Sequence, residues 1–251
     1  MAIGTDTASV VGVRRATIAT ATRLDGTSWL ILLAVTVGTN LLDFAAVPSA
    51  GGRPGLGFLL AALLRVALVF WVSYTLLRRL AGTARPHAVT IAFWRLALLQ
   101  LAMLIVVGLA TRLAFIMAGP NPPLATAWLA GFLGLAGAGL LTIRILAWHT
   151  ALAVGAPFAA LGALWLAQKD AAGRIALAFV ALILPVAALH LALTLVGIRI
   201  PLAPLPHLLV AVVDGIVQAW QLALTLGLAV VAWQIGGSPG AAQVDADGRR
   251  G

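Results

Sequence analysis

The chain contains no cysteine and no glutamate, one lysine and one tyrosine. Without cysteine there are no disulfides, no thiolate-bound zinc and no iron–sulfur cluster. Without glutamate the H-E-x-x-H helix of zinc peptidases is excluded, and the G-x-x-x-x-G-K-[ST] loop of nucleotide hydrolases is absent as well. Charge of either sign is scarce. Only 9% of the 251 residues are charged, while 62% are hydrophobic, and the mean hydropathy is +1.08. A soluble domain carries about 25% charged and about 45–50% apolar residues. Sixteen basic and seven acidic residues cannot solvate a globule of this length. A disordered chain needs the opposite composition. The remaining class is a polytopic membrane protein.

Six apolar stretches are long enough to span the hydrocarbon as helices, which takes about 20 residues. They run from Trp29 to Val47, Gly57 to Leu77, Val89 to Met117, Ala125 to Ala147, Ile175 to Val196 and His207 to Ile235. A β-barrel would show alternating segments of about ten residues instead. Helix breakers separate the spans: Pro48, Gly51, Gly52, Pro54 and Gly55; Gly119-Pro120-Asn121-Pro122-Pro123; Pro201, Pro204 and Pro206. The predicted fold is therefore all-α with six spans over residues 29–235, a tail at 1–28 and a disordered tail at 236–251.

Fifteen of the sixteen bases are arginine. They sit at segment ends rather than in one patch, which argues against nucleic acid and for topology signals. Arg14, Arg15, Arg23, Arg78, Arg79, Arg85, Arg144, Lys169, Arg174, Arg249 and Arg250 flank one side, against Arg53 and Arg199 on the other. That asymmetry places both termini in the cytoplasm. Residues 1–28 lack an early apolar core, so they read as a cytoplasmic tail able to form a surface helix, with the first span an uncleaved anchor. The Ala/Gly/Arg-rich usage points to a bacterial inner membrane.

Polar residues inside the spans cost roughly 2.5–3.5 kcal/mol per charge at mid-membrane and mark where chemistry or packing is concentrated. Thr36, Asn40 and Asp43 fall on one helix face, as do Asp214, Gln218, Gln221 and Thr225. At about 1.5 Å per residue, Asn40, Asp43, Arg65, Arg112, His190, Asp214 and Gln218 all lie in the outer half of the membrane. These seven form the candidate polar cluster, with Asp43–Arg65 and Asp214–Arg112 as the charge-balancing pairs. The cluster reads either as a water-filled or substrate-binding cavity or as a buried network that fixes helix register. Arg95 stands about 9 Å inside the cytoplasmic end and reads as a snorkelling anchor. Ala130, Gly134 and Ala138 form a small-residue stripe for packing inside the monomer. Trp29, Trp71, Trp148 and Trp233 read as interfacial belt residues. Pro185 should kink the fifth span. The Gly236–Gly240 match to G-x-S-x-G follows a membrane helix, where a nucleophile elbow cannot form. No cofactor, metal or catalytic residue is expected.

The stretch from Trp148 to Arg174 is interrupted by Gly155 and Pro157 and then places Phe158, Leu161, Leu164, Trp165 and Lys169 at helical spacing. It predicts a short amphipathic helix at the membrane surface. Ala153 to Pro157, then Ala163 to Lys169, then Gly173-Arg174 opening a new span, resembles bacterial six-span proteins of unknown function related to the membrane domain of glycerophosphoryl diester phosphodiesterase. Leu164 stands where that pattern carries serine. The resemblance covers about thirty residues of Trp148–Phe179 plus the span count. It implies a non-catalytic inner-membrane protein of envelope or lipid homeostasis, whose partners are the lipid bilayer and a membrane protein it assembles with. A small permease with an outer-half polar site is the alternative.

Overall fold

The computed structural model describes residues 7–46, 55–200 and 203–237. These are all helical, with no strand among them. Among the described residues nine helices follow in order: α1 (Val10–Ala21), α2 (Gly26–Ala46), α3 (Leu56–Leu80), α4 (Ile91–Ala118), α5 (Leu124–Thr142), α6 (Leu146–Ala153), α7 (Leu161–Ala167), α8 (Ala172–Arg199) and α9 (Pro204–Ile235). Short 3-10 turns precede α6 and α7. Six segments are long and apolar enough to cross a membrane: Gly26–Asp43, Leu56–Leu80, Ile91–Ala118, Leu124–Ala153, Ala172–Gly197 and Pro204–Ile235. The chain is a multi-pass helical membrane protein.

The helix ends follow from local chemistry. Ser9 caps α1 by accepting from the Gly12 N–H at 3.0 Å, and Asp25 caps α2 by accepting from the Ser28 N–H at 2.8 Å. Thr90 caps α4 in the same way through Ala92. Gly119 ends α4 with φ at 86°, a left-handed conformation that glycine adopts without strain. Pro185 is accommodated inside a continuous α8.

Two segments outside the predicted spans are helical. The fourth span runs six residues past Ala147, because Trp148, His149 and Thr150 continue the helix as α6. It breaks at Gly155, whose φ is 102°. In the following short helix only Leu161 and Leu164 turn inward, while Phe158 and Leu166 stay exposed. The N-terminal segment, read as able to form a surface helix, contains a helix packed on the bundle. Gly12, Val13, Ala16, Thr17, Thr20 and Ala21 bury one face of α1 against α8 and α9. A methyl group on Gly227 of α9 would lie 2.8 Å from the Thr17 carbonyl oxygen, so the two backbones touch.

The last helix is the hub of the bundle, in contact with α1, α2, α3, α6 and α8, whereas α4 rests chiefly on α5. Ala130, Gly134 and Ala138 lie buried in that α4–α5 contact region. A methyl group on Gly134 would come within 2.8 Å of Thr111 Cα. The core gathers at one end of the bundle, the end that holds α1, the α3–α4 connection and the close of α9. Val13, Leu32, Tyr74, Leu77, Leu96 and Leu152 are fully buried there. In α3 the buried residues begin only at Val72, and in α4 they are Ala92 and Leu96 alone.

Arginines seal this same end. The Arg78 guanidinium, itself buried, donates to the Ala153 carbonyl at 3.3 Å and the Arg85 carbonyl at 3.0 Å. Its charge meets no carboxylate and instead faces the carbonyl end of α6, where a helix dipole favours cations. Arg95, read above as an anchor, donates to Ala156 O at 3.4 Å. Arg144 donates to Trp165 O at 2.9 Å and lies 3.9 Å over the Trp165 ring. Gln168, also buried, donates to Ala232 O at 2.7 Å and ties α7 to α9. Arg79 pairs with Asp25 at 2.5 Å. Asp25 is held below the ordinary carboxylate range chiefly by the Ser28 backbone and side-chain hydrogen bonds, with Arg79 adding to them.

Candidate functional site

The polar residues of the spans meet at the opposite end, in two groups. The first is built where α2, α8 and α9 converge. Asp214 enters from α9 with its side chain only 9% exposed. Its Oδ1 accepts from His190 Nδ1 at 2.6 Å. Its Oδ2 accepts from Asn40 Nδ2 at 3.1 Å and from the Thr194 hydroxyl at 3.4 Å. Asn40 also lies 3.4 Å from the Ala211 carbonyl. Gln218, one turn along α9 from Asp214, presents its amide nitrogen to His190 Nε2 at 3.2 Å. The ring therefore accepts from Gln218 and donates Nδ1–H to Asp214. His190 and Thr194 reach the same carboxylate because residues four apart share a helix face.

Close backbone approach makes this geometry available. Gly215 sits against α2 so tightly that a methyl group there would lie 2.6 Å from Val37 Cα. Asn40, one turn beyond Val37, is thereby brought level with Asp214. Thr36, on the Asn40 face of α2, is buried but satisfies its hydroxyl on Leu32 O of its own helix. Among the polar stripe of α9, Thr225 does the same with Gln221 O.

The second group is the ion pair of Asp43 on α2 with Arg65 on α3, half-buried and in direct contact. It lies one turn along α2 from Asn40. Both charges cancel locally, which removes most of the cost of holding either one at this depth.

Of the seven candidate residues, the structure thus brings Asn40, Asp214, His190 and Gln218 into one network and joins Asp43 to Arg65. It does not bring in Arg112. The expected Asp214–Arg112 pair is replaced by Asp214 with His190, Asn40 and Thr194, and Arg112 is exposed on α4. The physical reason is azimuth. The face of α4 that packs on α5 carries Thr111 and Phe115, and Arg112 is turned roughly 80° away from the centre of that face. Sequence spacing had fixed its depth and not its direction.

An apolar groove of about 490 Å³ lies between α5 and α8, lined by Leu124, Ala125, Trp128, Ala192, Leu195 and Val196. None of the network residues lines it. Among the described residues no group of three metal-ligating side chains occurs. Chemically the network can hold helices together, or carry a proton between an imidazole and a carboxylate.

Two contributors were not singled out from sequence. Gly215 is signalled only by a glycine next to an intramembrane acid. Arg78 looked like one more flanking charge. Compared with protein-family models, with curated proteins and with solved structures, the chain matches none.

Proposed function

We propose that the chain is a non-enzymatic integral protein of a bacterial inner membrane, with both termini cytoplasmic, acting in envelope or lipid homeostasis or as an assembly partner. In this reading the polar network fastens the bundle. The observation that carries it is that both intramembrane acids find partners within the chain: Asp43 with Arg65, and Asp214 with His190, Asn40 and Thr194. A fastener needs such closure, whereas a substrate site needs groups left over for the substrate. The resemblance at Trp148–Phe179 adds the envelope and lipid context.

Replacing an ion pair by apolar residues is often neutral or stabilising, while breaking one partner is costly. The combined Asp43→Leu/Arg65→Leu variant, expressed in a deletion strain, should therefore restore envelope resistance to dyes and detergents as well as wild type does. Arg65→Leu alone should restore it poorly. A double variant that is inserted at normal abundance yet fails to complement would make the pair a working site. The second reading, a small permease, draws support from His190, whose side chain remains 24% exposed in the middle of the Gln218–His190–Asp214 chain. The same double variant separates the two.

A further inference from the structure

Arg112 is the one member of the candidate cluster that the chain leaves unanswered. Among the described residues it makes neither an ion pair nor a hydrogen bond, and it is exposed. It stands six residues before the end of α4, about 9 Å inside the span. Leu98, Ile105, Leu109 and Ile116 share its face at helical spacing, all of them more than half exposed. Gly108, one turn before Arg112, leaves a recess, with nothing within 4 Å of where its Cβ would be. Among the described residues no helix covers this face.

We propose that this face is a phospholipid site. Arg112 holds the phosphate of a lipid in the leaflet opposite the arginine-rich end, and an acyl chain lies along Ile105, Gly108 and Leu109. A guanidinium binds phosphate through paired, charge-assisted hydrogen bonds. Its long apolar stem lets the head rise toward the headgroup level while the base stays in hydrocarbon. A cation in this position needs an anion, and among the described residues no acid is placed to supply it. Asp25, Asp43 and Asp214 are already bonded within their own chain. Asp170 lies in the α7–α8 connection at the other end. The site deepens the lipid branch of the function proposed above, and its test reads purified protein rather than a phenotype, so each can fail without the other.

The test is native mass spectrometry of the full chain released from nanodiscs of equal phosphatidylglycerol and phosphatidylethanolamine. Discs in which a phosphate-free galactolipid replaces nine-tenths of the phospholipid serve as competition. Wild type should retain one phospholipid per chain, even from the galactolipid discs. Arg112→Leu should retain roughly tenfold less, the loss expected from one charge-assisted hydrogen bond, and Arg112→Lys should fall between. Because Arg112 is exposed and bonds to nothing among the described residues, its variants should keep the wild-type helicity and elution volume. Equal retention by wild type and Arg112→Leu would overturn the proposal. So would indifference between phospholipid and galactolipid, or a stoichiometric acidic protein that wild type binds and Arg112→Leu loses.

Discussion

Adding a single methyl group at Gly215 should loosen the junction of α2 with α9 and with it the Asp214 network. The new carbon would stand 2.6 Å from Val37 Cα and 2.9 Å from Val37 N. Carbon atoms pack at about 3.5–4.0 Å, so the helices must part by about 1 Å. No rotamer change relieves a contact with backbone. Overpacking of this kind costs about 1–3 kcal/mol. The Asn40–Asp214 hydrogen bond, at 3.1 Å, would stretch beyond bonding range and remove about 1 kcal/mol more. The expected loss for Gly215→Ala is about 3 kcal/mol, more than a hundredfold in the folding equilibrium. The assay is reversible unfolding in mixed micelles. Trp29 on α2 and Trp220 on α9, with ring centroids 4.9 Å apart, supply a local near-ultraviolet signal. Gly108→Ala is the internal control. Its methyl meets open space, so helix propensity alone should make it neutral or more stable by up to about 1 kcal/mol. Equal stabilities for Gly215→Ala and wild type, or equal losses at Gly215 and Gly108, would refute the packing argument.

Two further predictions concern the arginine-rich end. Asp25 has its carboxyl held below its ordinary value by the Ser28 hydrogen bonds and then by Arg79. A depressed acid stabilises the fold above its unfolded value and loses that contribution as pH falls through its folded one. Melting should therefore be flat from neutral pH down to about pH 5 for this group and weaken below about pH 4, and Asp25→Asn should remove the acid-side slope. Arg78→Leu should cost about 2–4 kcal/mol, because it uncaps two carbonyls in a buried setting. Arg78→Lys should recover only part of this, which the same micelle titration would measure.

Hydropathy made the six spans legible, because each is a continuous apolar run closed by proline or glycine, and Gly155 announced its break by chemistry alone. Depth along a helix was legible too, which is why Asp43 and Arg65 could be matched. Rotation about the helix axis was not. A span that is apolar all round, as α4 is, offers no moment to say which face meets protein, so Arg112 was assigned to a partner it turns away from. His190 and Asn40 could be placed at the level of Asp214 but not against it. That contact depends on Gly215 meeting Val37, a three-dimensional coincidence with no period in sequence. The packing of α1 on the bundle was not legible for a related reason. Its buried face of Gly12, Ala16 and Thr20 is small rather than hydrophobic, and small residues signal close packing only when their neighbour is known.

The central position of α9 also sets an order for biogenesis. It is translated after the eight helices that precede it, five of which pack on it. Until it enters the bilayer, Asn40 and His190 have no Asp214, and Gln168 has no Ala232 carbonyl. The nascent bundle must therefore wait in the membrane with its polar contacts open, held by insertion machinery or lipid water, and it closes when the final span arrives. A chain stopped before α9 would keep five of its spans and none of that closure, which makes it a ready substrate for membrane proteolysis.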